Sequence, residues 1–350
     1  TQSRSSAASD VYKRQADPTP VQEAVLAAET AGRDLLVSAQ TGSGKTVAFG
    51  LAVAPNLLGD AARLGPPRTP LALVIAPTRE LALQVQAELA WLYAGAGARV
   101  VACVGGTDMR AERRALDMGA HIVVGTPGRL RDHIERGSLV LSALAVAVLD
   151  EADEMLDMGF RDELEAILDV TPDTRRTLLF SATIPPEIAA LAKRYQRDAL
   201  RIAATGEGGT HRDITYHAVL TAPREVEHAL VNVLRWHDER AIVFCATRAA
   251  VTRLHGNLTE RGFSAVALSG ELTQAERNRA LQALRDRRAQ ICVATDVAAR
   301  GIDLPDLGLV VHAELPRDRD VLLHRSGRTG RAGRKGIAVL LVPATRRRLA

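Results

Sequence analysis

Two tandem α/β domains, each a parallel sheet covered on both faces, are what this sequence predicts, and two observations carry the reading. Short apolar runs such as Leu71-Ala72-Leu73-Val74-Ile75 alternate with amphipathic stretches over most of the chain. Runs that are apolar throughout mark strands buried on both faces, and the helical stretches between them supply the crossovers. The alternation then stops at Gly206-Glu207-Gly208-Gly209-Thr210 and restarts beyond it, as it would on either side of an interdomain linker. A length of 350 residues suits about two such domains.

Taken in order, the first domain has strand candidates at residues 34–38, 71–75, 100–104, 121–124, 144–149 and 177–180. The second has them at 241–245, 264–268, 290–294 and 308–311, with a further apparent strand near the C-terminus. These runs divide the chain into a first domain at 16–204, a linker at 205–212, a second domain at 213–345 and the start of a C-terminal extension at 346–350. Residues 1–15 are set apart from the fold. Asp10-Val11-Tyr12-Lys13-Arg14-Gln15 looks like the translation of a transposon-end sequencing adaptor, and a polar disordered tail is the competing reading.

A content of 47% hydrophobic and 25% charged residues fits a soluble globular protein. No apolar run approaches the ~20 residues of a helical bilayer span, so no membrane role is expected. Cys103, Cys245 and Cys292 lie far apart, each inside an apolar run. They read as buried strand thiols rather than disulfides or zinc ligands, which suits a reducing cytoplasm. Aromatic residues make up only 3%, which argues against base stacking as the main binding device. The net charge of +4 divides unevenly, −3 over residues 1–212 and +7 over 213–350, and hints at an anionic partner.

The segment Ala39-Gln40-Thr41-Gly42-Ser43-Gly44-Lys45-Thr46 follows an apolar strand and opens a helical stretch at 47–58. A phosphate-binding loop needs that strand–loop–helix setting, although Ala39 stands where the pattern usually has glycine. Backbone N–H groups at the helix start can wrap a polyphosphate, Lys45 adds a point charge, and the Thr46 hydroxyl can hold Mg²⁺. Its partner should lie at another strand end, and Val146-Ala147-Val148-Leu149 runs into Asp150-Glu151-Ala152-Asp153. Asp150 can coordinate Mg²⁺, and Glu151 beside it can orient or deprotonate the water that attacks the γ-phosphate.

Asp150-Glu151-Ala152-Asp153 spells DEAD, and from about Pro18 to Leu341 the chain resembles DEAD-box ATP-dependent RNA helicases of bacterial type. The resemblance implies two RecA-like domains of P-loop NTPase topology, with ATP and Mg²⁺ as ligands. Pro18-Thr19-Pro20-Val21-Gln22 looks like the Q motif, which makes Gln22 the adenine reader, although the aromatic residue the family places upstream is not recognisable. Ser181-Ala182-Thr183 matches the motif that couples ATP state to RNA binding, with Asp153 in the same coupling role. Asp296 and Arg300-Gly301-Ile302-Asp303 match the ATP-facing part of the next motif, with Asp296 in coupling and Asp303 as the ribose contact. His324-Arg325-Ser326-Gly327-Arg328-Thr329-Gly330-Arg331 matches the last, with His324 in coupling and Arg328 and Arg331 as arginine fingers from the second domain.

By the same resemblance, RNA is gripped in the first domain by Pro77-Thr78-Arg79, Gly105-Gly106 and Thr126-Pro127-Gly128-Arg129. In the second domain the matching positions are Thr247-Arg248, Gln274 with Arg277, and Thr295. Small residues and helix starts suit phosphate, and no aromatic lies inside these segments, so backbone-directed, sequence-independent binding is expected. The implied activity is RNA-stimulated ATP hydrolysis coupled to local, non-processive unwinding of short duplexes by a monomer. The alternative is an ATP-dependent RNA clamp or annealing scaffold with little unwinding.

Overall fold

The computed structural model describes residues 17–39, 43–203, 213–299, 302, 304, 306–330 and 334–349. Residues 1–15 and the linker at 205–212 therefore lie outside the described residues. The chain divides into two units, Arg14–Glu207 and Gly208–Ala350.

The first unit contains strands β1 (Leu35–Ser38), β2 (Ala72–Ile75), β3 (Val100–Cys103), β4 (Ile122–Gly125), β5 (Val146–Leu149), β6 (Arg176–Ser181) and β7 (Leu200–Ala203). They form one sheet in the order β3-β4-β2-β5-β6-β1-β7, and every neighbouring pair is parallel. Successive β2 residues show why such strands are apolar throughout. Ala72 and Val74 enter one core with Phe49, Val85 and Leu89, while Leu73 and Ile75 enter another with Leu130, Met155 and Leu164. Helices α1 (Pro20–Leu26), α2 (Lys45–Ala52), α3 (Ala54–Leu58) and α4 (Arg79–Leu92) fall in the first part of this unit. Helices α5 (Met109–Asp117), α6 (Pro127–Glu135), α7 (Ala152–Asp157), α8 (Arg161–Asp169) and α9 (Pro186–Tyr195) complete it.

The helical stretch expected at 47–58 is interrupted. Pro55, in the first turn of α3, has no N–H to donate to the preceding turn, so α2 ends and a short second helix restarts after Val53.

The second unit has strands β8 (Ile214–Thr221), β9 (Ala241–Cys245), β10 (Ala265–Leu268), β11 (Ile291–Thr295), β12 (Leu309–His312) and β13 (Gly336–Pro343). These too are parallel, in the order β10-β11-β9-β12-β13-β8. Helices α10 (Val226–His237) and α11 (Arg248–Glu260) pack Leu230, Val251 and Leu258 against Val243. On the other face, α12 (Gln274–Arg285) and α13 (Asp296–Ala299) bring Leu281 and Ala298 to Ile242 and Phe244. A last helix, α14 (Arg319–Ser326), lies between β12 and β13 in the chain. Both sheets thus have the parallel, doubly covered architecture expected from the sequence. Cys103 and Cys245 end their strands and Cys292 lies within β11; all three are buried free thiols, pushed up to about 12 by burial. Among the described residues, no helix is long and apolar enough to cross a membrane.

The two edges of the first sheet differ in kind. At the edge where the strands begin, a polar cluster closes the structure. Arg176 donates to the carbonyls of Arg33, Ala52 and Thr30 at 2.6, 2.6 and 2.9 Å, and Asp34 accepts from the N–H groups of Thr177 and Arg197. Arg176→Met should strand those carbonyls and destabilise the first unit by roughly 3 kcal/mol, hydrogen bonds to a charged donor being worth about 1.5–3 each. Denaturant unfolding would measure it, and nucleotide affinity below the transition should stay near the parental value.

Candidate functional site

The chemistry-bearing residues gather at the opposite edge, where the strands end. Lys45 opens α2 after β1, Asp150 and Glu151 follow β5, and Ser181 ends β6. These three strands are neighbours in the sheet. Gly44 caps α2 in the left-handed region at φ +86°, and a Cβ there would lie 2.7 Å from Nε2 of Gln22. That contact shows what Gln22 does locally. Its amide oxygen accepts from the Thr19 N–H at 3.0 Å, and its Nε2 donates to the Gly44 carbonyl at 3.3 Å. The start of α1 is thereby braced against Gly44 at the start of α2. Gln40, Thr41 and Gly42 lie outside the described residues; Ser43 leads into Gly44.

Lys45 is buried, with Nζ 3.3 Å from the Ala39 carbonyl. Burial pushes the Asp150 carboxyl up against the pull of the Lys45 ammonium, and neighbouring Glu151 adds to the rise. Oδ1 of Asp150 is buried without a hydrogen-bond partner. A lone buried carboxylate oxygen is costly. A carboxylate oxygen of this kind and a hydroxyl such as that of Thr46 are hard donors of the type Mg²⁺ takes, so the chemistry of these residues fits the ion. Glu151 caps α7 in the left-handed region, at φ +53° and ψ 52°. For a side chain with a Cβ this conformation stores strain of about 1–3 kcal/mol, a cost that clusters at functional positions.

Asp153 and the 181–183 segment meet directly. Oδ2 of Asp153 accepts from both the N–H and the hydroxyl of Thr183 at 2.9 Å, and the Ser181 hydroxyl accepts from the Asp153 N–H at 3.2 Å. The end of β6 is therefore hydrogen-bonded to the first turn of α7.

Beyond β5 in the sheet lie β2, β4 and β3, and the other candidate set follows these strands. Thr78 caps α4 by accepting from the Leu81 N–H, and Pro77, Thr78 and Pro127 are buried, so these positions shape turns. Gly105 and Gly106 are exposed, and Thr126 and Gly128 are half-buried. Arg79 donates to the Gly105 carbonyl at 3.2 Å. Arg129 is mostly buried and donates to Oε2 of Glu112 at 2.8 Å. Glu112 was not among the residues the sequence singled out. In Arg110-Ala111-Glu112-Arg113-Arg114 it reads as a surface carboxylate between helix neighbours, whereas the fold buries it.

In the second unit Thr247 caps α11 after β9, with Arg248 exposed next to it and 3.4 Å from Glu271. Gln274 opens α12 after β10, Arg277 lies one turn further on, and Thr295 ends β11. These strands are also neighbours. Asp296 receives both guanidinium arms of Arg325, at 2.5 and 2.7 Å, and Arg325 lies over the Phe244 ring. Phe244 stacks on His312, whose Nε2 is 3.2 Å from the Ser326 hydroxyl. His312 is held near 3 by burial, with Arg325 adding to the fall. This chain of contacts fixes α14, which carries His324 and precedes Arg328. The Arg328 side chain is buried and turned to the Ile302 carbonyl of its own unit, at 3.5 Å. Asp303 and Arg331 lie outside the described residues, as do Arg300 and Gly301.

Comparison with known proteins agrees with this arrangement. The family model described as DEAD/DEAH box helicase matches residues 19–192, and that described as helicase conserved C-terminal domain matches 225–333. The chain is 38% identical over 334 residues to the ATP-dependent RNA helicase DbpA of Bacillus subtilis strain 168, covering 95% of this chain and 68% of that protein. It is 40% identical over 326 residues to DEAD-box ATP-dependent RNA helicase 9 of Oryza sativa subsp. japonica, covering 92% of this chain and 51% of that protein. It thus spans about half the length of the plant relatives it matches. Among solved structures, S. cerevisiae Dbp5 bound to RNA and ADP BeF3 is similar at a TM-score of 0.81 and 28% identity, over 96% of this chain and 86% of that one. Mss116p bound to ssRNA and AMP-PNP is similar at 0.80 and 29%, over 95% and 71%.

Two outcomes are expected. Glu151→Gly relieves the left-handed strain and removes a buried carboxylate, so it should raise the unfolding midpoint of the first unit by about 2–4 °C. Differential scanning calorimetry checks it. The second outcome concerns acid. Burial alone would raise the Glu112 carboxyl, but hydrogen bonds from His133, Thr107, the Val104 N–H and Arg129 outweigh it and hold it at about 2. Its folded value lies below the ordinary one, so its contribution is complete above about pH 4.5 and drains away as pH falls toward 2. Unfolding measured at pH 5 and pH 3 should therefore show a smaller loss in Glu112→Gln than in the parent.

Proposed function

The chain belongs to the DEAD-box helicase family, and on that footing we propose that it is an ATP-dependent RNA helicase that opens short duplexes locally, by clamping. The observation that carries the reading is the division of one sheet edge. The ends of β1, β5 and β6 hold the phosphate, metal and water residues, and the ends of β2, β3 and β4 hold turns suited to a nucleic-acid backbone.

In this reading Lys45 sets a positive charge against the β- and γ-phosphates, and the loop of Gln40, Thr41, Gly42, Ser43 and Gly44 wraps them with backbone N–H groups. Gln22 offers its remaining amide hydrogen to the adenine edge, and Asp303 meets the ribose. Thr46 and Asp150 would hold Mg²⁺, which when bound would supply charge neutralisation to the phosphates. Glu151 orients the attacking water. Arg328 and Arg331 complete the charge stabilisation when the two units close on the nucleotide, so hydrolysis waits on closure. The Asp153–Thr183 hydrogen bonds support a coupling role for Asp153, Ser181 and Thr183, and the Asp296–Arg325 pair supports one for Asp296 and His324.

Exposed Gly105, Gly106 and Thr247, with Gln274, Arg277 and Thr295, take the sugar–phosphate backbone, and Arg248 adds charge. No aromatic lies within these turns to act as a strand-separating wedge. Duplex opening then comes from closing on a strand bent away from its partner, against roughly 1.4 kcal/mol of stacking per base-pair step. That cost limits each closure to a few base pairs.

ATPase rates without nucleic acid, with RNA and with DNA test the substrate class, RNA alone being expected to stimulate. Glu151→Gln should retain ATP and RNA but lose turnover, and Arg328→Ala should slow hydrolysis by something on the order of the 10³–10⁵ contributed by arginine fingers. Unwinding should fall steeply with duplex length and need no single-stranded end of set polarity. Efficient opening of several tens of base pairs by one bound molecule would contradict clamping, and RNA-stimulated turnover without unwinding would favour the annealing scaffold.

A further inference from the structure

Glu112 is the buried charged residue of α5, a helix whose arginines 110, 113 and 114 are exposed. A carboxylate loses several kcal/mol of hydration on burial and stays charged only if its oxygens are satisfied. Here both oxygens are engaged. Oε1 accepts from the Val104 N–H at 3.0 Å and meets the Thr107 hydroxyl, whose oxygen is also 2.6 Å from the Val104 carbonyl. Oε2 accepts from Arg129 and from Nε2 of His133, both at 2.8 Å. The His133 ring is fully buried; the Glu112 carboxylate at Nε2 can only accept, so Nε2 carries a proton, and Nδ1 faces the Ser138 hydroxyl at 3.3 Å.

These four donors come from two segments. Val104 and Thr107 bracket Gly105 and Gly106 after β3, while Arg129 lies in the first turn of α6 after β4 and His133 one turn further on, in its last turn. Arg129 also donates to the Thr107 carbonyl at 3.5 Å, and Arg79 reaches the Gly105 carbonyl from the end of β2. One carboxylate therefore sits where the turns after β3 and β4 are tied together. The Cys103 thiol lies close enough to make Cys103, Glu112 and His133 a three-donor cluster. That thiol is pushed up to about 12 by burial, and the Arg129 guanidinium already neutralises the carboxylate. The cluster is an ion pair with a buried imidazole, and it needs no metal.

We propose that Glu112 is a positioning residue for RNA. Through Thr107, Arg129 and His133 it locks the Gly105-Gly106 turn to the Thr126–Arg129 turn, so that both engage one strand. This rests on the reading of those turns as RNA contacts. It also changes the part played by Arg129, which acts as a strut between turns rather than as a charge presented to phosphate.

The sign of one substitution separates this from plain electrostatics. Glu112→Gln removes a negative charge near an RNA-binding face, which by charge alone should tighten RNA binding, most visibly at low salt. Positioning demands the reverse, because an amide that accepts on one side must present a donor to Arg129 or to Val104 and Thr107. The RNA concentration giving half-maximal ATPase stimulation should rise about five- to tenfold in the full chain. ATP affinity without RNA, and turnover at saturating RNA, should stay within about twofold of the parent. Thr107→Ala should raise the RNA requirement less, and Thr107→Ser should restore it. If Glu112→Gln melts below the assay temperature, that alanine–serine pair decides alone. A stimulated parent whose Glu112→Gln needs the same or less RNA, or a Thr107→Ala indistinguishable from the parent, would overturn the positioning role and leave the RNA reading standing. A parent that RNA does not stimulate would overturn both. Stoichiometric zinc in the purified parent, absent from Cys103→Ala, would replace the ion pair with a metal site and overturn the proposal.

Discussion

Everything in this protein depends on the requirement that a parallel sheet be covered on both of its faces. Each strand must return by a helical crossover, and so each strand end passes into a turn that leads to a helix start. Such turns carry unpaired backbone N–H groups, and the helices behind them add positive ends of their dipoles. The edge where strands end is thereby made receptive to phosphate before any side chain is chosen. Both units obey this rule, and each has candidate residues after three neighbouring strands, β3-β4-β2 and β10-β11-β9.

Against that background the treatment of buried charge separates structure from site. Arg176, Asp153, Asp296 with Arg325, and Glu112 are buried or partly buried and well satisfied by hydrogen bonds. Each converts a desolvation cost into a fixed relation between two segments, because breaking the set would leave an uncompensated charge in a poor solvent. Asp150 breaks the pattern with a buried oxygen that has no partner, and Glu151 beside it holds a strained backbone. A buried polar atom without a partner and backbone strain at adjacent residues are features that cluster at functional positions. The Arg328 side chain is buried, with one guanidinium nitrogen 3.5 Å from the Ile302 carbonyl.

Much of this was legible in the chain because burial on both faces leaves a local signature. The strands β2, β5 and β9 are apolar at every position, and Gly44, Lys45, Asp150 and Thr183 sit at spacings tied to strand ends. The edge strands were harder to see. β7 (Leu-Arg-Ile-Ala) and β8 (Ile-Thr-Tyr-His-Ala-Val-Leu-Thr) lie half open to solvent at the sheet margins, so polar residues interrupt them and the apolar run disappears. Pro55 was visible, but whether it would start or interrupt a helix depended on how the chain packs beyond Phe49.

Sequence alone therefore determined the fold class, the glycine-rich turn between β1 and α2, the acidic strand end and the resemblance to a helicase core, since each is written in neighbouring residues. Tertiary structure decided which charges are buried and what they hold. Gln22, which the sequence marks for adenine, also braces Gly44; Arg129, marked for RNA, is a strut; and Glu112, which reads as an ordinary surface carboxylate, joins two turns. The physical reason is that desolvation, which makes a buried charge demand partners, depends on residues brought together from far along the chain. The partners of Glu112 stand up to 21 positions away, beyond any local pattern.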